Sequence, residues 1–323
     1  MKKRIFTSIA IVLSLVLLFV LKIFVKDWGL YFFDAFFGVV ACFATFELSR
    51  LLTKIGLYNY NALSVYFPCL LVAGNLIGLH FVEKSADLFW VLWTILINIG
   101  LIVLITLGAF LWGVFNKKAV LNEMNVRKIQ NMSRIMFALK KALHTMIAFV
   151  YPAFLFLFFV LINHFDVLPF AKFEGVTSNI SVFILVSALA IPMITDTFAM
   201  LTGSVVGGKK LCPKISPNKT ISGAVVGTLW CVLVCACIYL IFGCIGSFKP
   251  LMEVLPIWVY LIIVLVGSVV AQCGDLFESI IKRRAGVSDS GKLLPGHGGM
   301  LDRIDSYIFI APFIVLSFLI FAI

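Results

Sequence analysis

Long apolar stretches, each followed by a short polar segment, recur along the whole chain. A bilayer core about 30 Å thick is spanned by a helix of roughly 20 apolar residues. We therefore expect an all-α, polytopic integral membrane protein with about nine transmembrane helices. The expected spans lie at about 5–25, 29–49, 60–82, 88–115, 142–164, 180–202, 221–247, 255–274 and 306–323. The first is longer than the apolar region of a typical signal peptide and lacks a clear small-residue cleavage site, so we interpret it as a retained helix.

The composition excludes three classes of protein. Hydrophobic residues make up 62% of the 323 residues and charged residues 13%, and the mean hydropathy is +1.12. A soluble globular protein has about 45–50% apolar and about 25% charged residues. A soluble enzyme, a disordered chain and a secreted disulfide-rich domain are therefore excluded. The eight cysteines lie mostly inside apolar stretches, which favours buried free thiols over a metal site or disulfides.

The basic residues indicate how the helices are oriented. If the N-terminus lies in the cytoplasm and the helices alternate in direction, 21 of the 26 Lys and Arg residues fall in cytoplasmic segments. This asymmetry follows the positive-inside rule and predicts a multi-pass protein of the cell membrane whose C-terminus lies on the outer side. The net charge of +11 is then mainly an orientation signal, so we expect the lipid bilayer, and no nucleic acid, as a partner.

The chain divides into two regions of different polarity. Residues 1–175 contain about five expected helices and a basic cytoplasmic loop at 117–141, which is either an amphipathic helix on the inner leaflet or a solvated connector. Residues 176–323 contain about four helices and two polar cytoplasmic segments, 195–223 and 271–306. These two segments hold six of the 15 acidic residues. Ionisable residues at membrane spans are energetically costly, so we expect the active site in this C-terminal region.

A stripe of acidic and basic residues begins the second polar segment. Four polar residues spaced i, i+3, i+4 and i+7 share one face of a helix. They are Asp275, Glu278, Ser279 and Lys282. Such a stripe can bind a divalent cation and an anionic group together. The alternative is a polar helix end whose charges pair with one another at the level of the lipid headgroups.

A glycine-rich stretch follows in the same segment. Three glycines surround His297, and glycines let the backbone approach a ligand closely. The next helix begins with two aspartates on one face, Asp302 and Asp305, and with Arg303 between them. Capping of this helix would explain the aspartates, but it would not explain the glycines, the histidine and the arginine together.

The first polar segment supplies further cations. Its lysines flank two prolines in a stretch that we expect to be a stiff loop, with Ser216 and Thr220 as hydroxyl donors. These lysines, Lys219 among them, are also explained as ordinary positive-inside residues. Asp196 is harder to explain in that way, because it interrupts an apolar span.

Together these groups suit metal-assisted phosphoryl or nucleotidyl transfer. The reaction needs Mg²⁺ held by carboxylates and phosphate oxygens, and it needs cations that balance the charge developing on the phosphate. The sequence contains no Walker A motif and no dinucleotide-binding GxGxxG motif.

Three motifs in these segments resemble the signature of the phosphatidate cytidylyltransferase, or CDP-diacylglycerol synthase, family. The long motif contains Ser279, Lys282, Arg283, Asp289, Gly291, Leu294, Pro295, His297, Gly298, Gly299, Met300, Asp302, Arg303 and Asp305. The preceding block contains Gly274, Asp275, Phe277 and Glu278, and a third contains Asp196, Gly203, Gly207, Pro213, Ser216, Pro217, Lys219 and Thr220. The resemblance covers about residues 195–306, and the long motif is highly specific.

The resemblance implies an inner-membrane enzyme that joins CTP and phosphatidic acid into CDP-diacylglycerol and pyrophosphate. It implies Mg²⁺ as a cofactor, with K⁺ as a candidate second cation, and a homodimer as a candidate assembly. The lipid phosphate would attack the α-phosphorus of CTP, and no strong general base is required because this phosphate is already an anion at neutral pH.

The resemblance also implies roles for individual residues. The expected catalytic residues are Asp275, Lys282, Arg283, Asp289, His297, Asp302, Arg303 and Asp305. The residues expected to contact the CTP phosphates are Ser216, Lys219, Thr220, Gly298 and Gly299. The expected metal ligands are Asp275 and Asp302, with Asp196 as a further candidate.

The chain departs from the family pattern at four positions. Lys is usual in place of Ser288 and Asn218, Glu is usual in place of Ser222, and an aromatic residue is common in place of Met200. Losing two lysines should weaken phosphate binding, and losing the glutamate removes a candidate metal or nucleotide contact.

Three other functions are compatible with parts of the sequence. A CTP-dependent lipid kinase has related polar motifs, a divergent non-catalytic member would keep the same fold, and a transporter would share the hydrophobic architecture. Secondary transporters often contain inverted repeats and helices that are interrupted at the midplane. The sequence shows no internal repeat, and its polar residues cluster on one expected face of the membrane, so a transporter is the weakest alternative.

Overall fold

The chain folds into helices joined by short connections, with one small hairpin. The computed structural model describes residues 2–25, 27–85, 88–129, 131–167, 180–296 and 298–322. The helices within these residues are α1 (Lys2–Phe24), α2 (Asp27–Lys54), α3 (Asn61–Ser85), α4 (Leu88–Phe115), α5 (Lys117–Val126), α6 (Arg134–Phe149), α7 (Phe158–Asn163), α8 (Ile180–Val205), α9 (Ile221–Cys244), α10 (Lys249–Val254), α11 (Ile257–Arg284) and α12 (Leu301–Ala322). The strands are β1 (Lys210–Cys212) and β2 (Ser216–Thr220).

Seven of the described helical segments are long and apolar enough to cross a membrane. They are Gly29–Lys54, Trp93–Phe115, Arg134–Asn163, Ile180–Val205, Ile221–Cys244, Ile257–Arg284 and Leu301–Phe321. Two shorter apolar stretches, Ile11–Phe24 and Tyr66–Leu76, lie in α1 and α3, where the sequence also predicts spans. The expected all-α, polytopic membrane protein is therefore confirmed, and the count of nine spans stays a prediction.

The fifth expected span begins earlier than the sequence predicts and contains a break. It starts at Arg134 rather than near residue 142 and continues to Asn163. One turn of π-helix occupies Val150–Phe154. This turn contains Pro152, which has no N–H group to donate to the helical hydrogen bonds.

The basic segment at 117–141 is mostly helical. It contains α5 and the first half of α6. Val120 and Met124 of α5 are buried against Phe137 of α6. Glu123 of α5 also lies 2.5 Å from Lys141 of α6, so an apolar contact and an ion pair hold the two helices together.

The core lies where α2 and α7 pack against the C-terminal helices. Phe37 of α2 stacks on Phe159 of α7 with ring centroids 5.0 Å apart. Phe165, just after α7, contacts Phe318 of α12 edge to face. Helices α4 and α9 instead leave most of their apolar spans exposed, as expected for helices that face lipid.

A buried polar network ties the first two helices to α7. Asp34 of α2 accepts a 2.9 Å hydrogen bond from Asn163 Nδ2 and lies 2.7 Å from His164 Nε2. Lys22 of α1 donates a 2.8 Å hydrogen bond to Asn163 Oδ1. These buried polar groups satisfy one another, which a membrane interior requires because it offers no water to bind them.

Helices α8 and α9 approach closely because α9 presents glycines to α8. A Cβ on Gly227 would lie 2.7 Å from the carbonyl oxygen of Thr195, and a Cβ on Gly223 would lie 2.5 Å from that of Ala199. Small residues four positions apart commonly let membrane helices pack at short distance. This contact fixes the end of α8 beside the beginning of α9, and the β1–β2 hairpin, where we expected a stiff loop, connects the two.

Candidate active site

The two polar segments expected from the sequence meet at one end of the helix bundle. Lys219 of β2 forms an ion pair with Asp275 of α11. Near the end of α11, Arg283 Nε donates a 3.0 Å hydrogen bond to the carbonyl oxygen of Ile215 in the hairpin. The hairpin, the C-terminal ends of α8 and α11 and the beginnings of α9 and α12 therefore surround one polar region.

Three aspartates from three helices lie near one another in this region. Asp196 of α8, Asp275 of α11 and Asp305 of α12 are close enough for their charges to interact. Helices α11 and α12 meet closely here, since a Cβ on Gly274 would lie 2.7 Å from the carbonyl oxygen of Asp305. Ser306 Oγ donates a 3.4 Å hydrogen bond to Asp196 and so links α12 to α8. Like charges within reach of one another repel, and a bound cation would relieve that repulsion.

Lys282 forms ion pairs with two carboxylates. Its Nζ lies 2.5 Å from Glu278 Oε2, one turn earlier on α11, and donates a 2.8 Å hydrogen bond to Asp302 Oδ1 of α12. Glu278 is fully buried, and Lys282 supplies its counter-charge. A buried carboxylate that lost its counter-charge would be strongly unfavourable, which makes Lys282 important for the local structure.

Asp302 is the hydrogen-bonding centre of the glycine-rich loop. Besides Lys282, the backbone N–H groups of Ser290 and Gly299 donate to its carboxylate at 2.9 and 2.7 Å. Gly298 adopts a φ of +82°, and a Cβ at this position would lie 2.6 Å from Asp302 Oδ2. Glycine meets both demands because it has no Cβ and adopts positive φ without strain. The loop therefore wraps around Asp302 at the first turn of α12.

One carboxylate of this region comes from the N-terminal half of the chain and was not among the expected site residues. Glu47 of α2 is buried, and its Oε2 accepts hydrogen bonds from Ser290 Oγ and from the Leu301 N–H, both 2.9 Å long. Glu47 interrupts an apolar stretch, as Asp196 does. The same argument from the cost of ionisable residues in membrane spans could therefore have identified Glu47.

The hairpin carries the residues expected to contact phosphate. Ser216 and Lys219 lie on β2, which pairs antiparallel with β1. Thr220 caps α9, because its Oγ1 accepts a 3.1 Å hydrogen bond from the N–H of the third helical residue. Ser222, which replaces the usual glutamate, donates a hydrogen bond to the carbonyl oxygen of Gly207. Ser222 thus holds the turn after α8 against the beginning of α9.

The remaining expected residues lie at the rim of the region. Asp289 is exposed and accepts a 2.8 Å hydrogen bond from the hydroxyl of Ser288, which replaces the usual lysine. Arg303 is exposed on the first turn of α12, and its charge acts on Asp196. His297 lies outside the residues that the structure describes, so its expected role stays a prediction.

The donor atoms of this region suit a hard cation. Asp196, Asp275, Asp302 and Asp305 offer carboxylate oxygens, which are the ligands that Mg²⁺ prefers. Among the residues that the structure describes, no three acidic, histidine or cysteine side chains converge with metal-binding geometry. Mg²⁺ commonly takes one or two carboxylates and completes its coordination with water and substrate phosphates. The region fits Mg²⁺ bound in that way.

A cavity of about 650 Å³ lies apart from these carboxylates, between α3, α4 and α6. The residues that line it include Asn59, Tyr60, Phe67, Ile105, Trp112 and Lys141, and none of its described lining residues is acidic. Because metal-assisted phosphate chemistry needs carboxylates, we assign the candidate active site to the region around Asp275 and Asp302 instead.

Comparison with known proteins gives one family. The sequence profile of the cytidylyltransferase family matches residues 2–321. Proteins named phosphatidate cytidylyltransferase from Staphylococcus saprophyticus and Staphylococcus haemolyticus are 45% identical to the chain over 125 residues, and one of the same name from Staphylococcus aureus is 46% identical over 125 residues. Each match covers 39% of this chain and 45% of the relative, so the chain spans less than half the length of the relatives it matches.

Proposed function

The chain belongs to the cytidylyltransferase family, and from this premise we propose that it transfers the cytidylyl group of CTP to phosphatidic acid. The products would be CDP-diacylglycerol, which stays in the membrane, and pyrophosphate. The observation that carries the proposal is the meeting of the two polar segments. Their lysines and aspartates come from the hairpin, α11 and α12 and form one charged region at the end of an apolar bundle.

The cations of this region would bind the phosphate groups. Lys219 and Lys282 neutralise carboxylates, and Arg303 is exposed beside them. The N-terminus of α9, which directly follows the hairpin, adds the partial positive charge of the helix dipole. An oxygen of the lipid phosphate would form the new bond to the α-phosphorus of CTP, while the bond to the leaving pyrophosphate breaks. The cations would stabilise the negative charge that develops on the leaving group.

We propose Asp275 and Asp302 as the residues that hold Mg²⁺, with Asp196 as a further candidate. Both carboxylates are paired with lysines, Lys219 and Lys282, which shows that each is oriented toward a positive charge. Bound Mg²⁺ would polarise phosphate oxygens and neutralise their charge. Lys219 would then be free to move from Asp275 to the phosphates, whereas Lys282 would stay paired with the buried Glu278. A second cation such as K⁺ is compatible with the number of carboxylates.

The bundle end that carries the site would face the cytoplasm, where CTP is present. The distribution of Lys and Arg along the sequence supports this orientation, since 21 of 26 fall on that side. The protein would then lie in the cell membrane with its C-terminus outside.

Label transfer from CTP tests the proposed reaction against a lipid kinase. The purified protein is incubated with phosphatidic acid or diacylglycerol, with Mg²⁺ or with a chelator, and with CTP labelled in either the α- or the γ-phosphate. Cytidylyl transfer predicts that α-label enters lipid in the presence of phosphatidic acid and Mg²⁺. Transfer of γ-label to lipid would instead show a kinase, and transfer of neither label by folded protein would contradict both.

A further inference from the structure

Glu47 of α2 holds both ends of the loop that surrounds Asp302. Its Oε2 accepts hydrogen bonds from the Ser290 hydroxyl, where the loop begins, and from the Leu301 N–H, where α12 begins. Ser290 also donates its backbone N–H to Asp302. One residue of the loop thus binds the buried carboxylate of α2 with its side chain and the aspartate of α12 with its backbone.

Two glycines of the loop leave the space that Glu47 occupies. A Cβ on Gly291 would lie 2.2 Å from Glu47 Oε1, and a Cβ on Gly299 would lie 2.2 Å from Glu47 Oε2. Neither glycine has a positive φ, so backbone conformation does not require glycine at these positions. The close approach of Glu47, and at Gly299 also that of Ser290 Oγ, does require it.

The beginning of α12 also favours a hydrogen-bond acceptor at this position. Leu301 is the first residue of α12, a helix of 22 residues, and a negative charge is stabilised at a helix N-terminus. Glu47 is 5% exposed, so water competes little for its oxygens.

We propose that Glu47 is a positioning residue, which holds the two ends of the loop, at Ser290 and Leu301, and thereby keeps Asp302 in place. It acts through the loop rather than on the substrate. Its consequence for catalysis rests on the proposed function, whereas its effect on the order of the loop does not. The N-terminal helices would therefore complete the active site.

Hydrogen–deuterium exchange of the purified protein measures the order of the loop directly. Glu47→Met keeps the length of the side chain but removes the acceptor, so the hydrogen-bonded amides of Ser290, Gly299 and Leu301 should exchange about tenfold faster or more. Glu47→Gln keeps one acceptor oxygen and should give a smaller increase. Glu253→Gln changes an exposed glutamate on α10 and should leave the loop unchanged. Unchanged exchange in Glu47→Met would overturn the proposal, whatever the activity of the protein.

A double-mutant cycle tests whether the loop glycine serves Glu47. Gly291→Ala alone should accelerate exchange of the loop, because its Cβ displaces the carboxylate. In a Glu47→Ala background the space is empty, and Gly291→Ala should add little further effect. Additive effects of the two changes would contradict the proposed contact.

Turnover of CTP separates the positioning role from the proposed reaction. We expect kcat to fall in the order wild type, Glu47→Gln, Glu47→Met, in parallel with the loss of loop protection. A loosened loop with unchanged kcat would refute the role of Glu47 in catalysis. If folded wild-type protein turns over no CTP while Glu47→Met still loosens the loop, the proposed function fails and the ordering role stands.

Discussion

Lys282 shows what single residues contribute and how far the sequence predicts it. Helix geometry alone places Glu278 and Lys282 on one face of α11, and the two form an ion pair. The sequence left two interpretations open for the polar face that includes Glu278 and Lys282. One of them, pairing of its charges with one another, is thus present. Lys282 also donates a hydrogen bond to Asp302, which lies on another helix. This second partner depends on how the glycine loop folds, so the local spacing of residues could not predict it.

Ser288→Lys tests the contribution of a residue at the rim. Ser288 is exposed beside Asp289, and the family usually has lysine there. An added ammonium group should lower the KM for CTP, by about two- to fivefold because solvent screens an exposed charge. Steady-state kinetics at varied CTP measure this change. Ser247→Lys, which lies at the opposite end of α9, is the matched control. An equal KM in Ser288→Lys and wild type would show that position 288 does not contribute to CTP binding.

Secondary-structure elements divide into those that the sequence predicts and those that tertiary contacts decide. Long apolar stretches predict the long helices, because burial of apolar surface in lipid dominates over 20 or more residues. The hairpin was expected as a loop, since strands of three and five residues carry too short a pattern. The π-turn near Pro152 was not expected either, although proline is a recognised cause of such breaks.

Gly227→Ala tests the close packing of α8 and α9. The new Cβ would lie 2.7 Å from the Thr195 carbonyl oxygen, next to Asp196, so the helices must separate. We expect a loss of about 1–3 kcal/mol in the free energy of unfolding and a lower kcat. Gly243→Ala on the same helix is the control, because its Cβ would meet its nearest neighbour, Met252, at 3.8 Å. Thermal unfolding in detergent measures both variants, and equal stability of the two would contradict this packing.

At the scale of the whole molecule, the N-terminal and C-terminal regions of the chain meet at the candidate active site. Glu47 and Leu301 are separated by 254 positions in sequence and share a hydrogen bond. The sequence predicts a polar C-terminal region, and the structure brings its two segments together at one end of the bundle. The sequence does not predict that α2 contributes a residue to the candidate site, because contacts between distant segments leave no periodic pattern. An isolated acidic residue in an apolar span was the available signal.

Labelling of single cysteines tests the orientation of the whole molecule. In a background without the eight native cysteines, Lys249→Cys and Lys292→Cys place thiols at opposite ends of the bundle, and both positions are exposed. With the site in the cytoplasm, a membrane-impermeant maleimide should label Lys249→Cys in intact cells. The same reagent should label Lys292→Cys only after the cells have been permeabilised. The reverse pattern would place the site on the outer side.

Release of pyrophosphate from CTP by the purified protein, compared between wild type and Asp302→Asn, tests the central claim most directly. Wild-type protein should form pyrophosphate and CDP-diacylglycerol in equal amounts, and this should require phosphatidic acid and Mg²⁺ together. Asp302→Asn removes the charge at the centre of the glycine loop and should lower turnover about 100-fold or more, while circular dichroism and size-exclusion chromatography show a folded protein. Full turnover by both Asp302→Asn and Asp275→Asn, or no product from folded wild-type protein, would contradict the account.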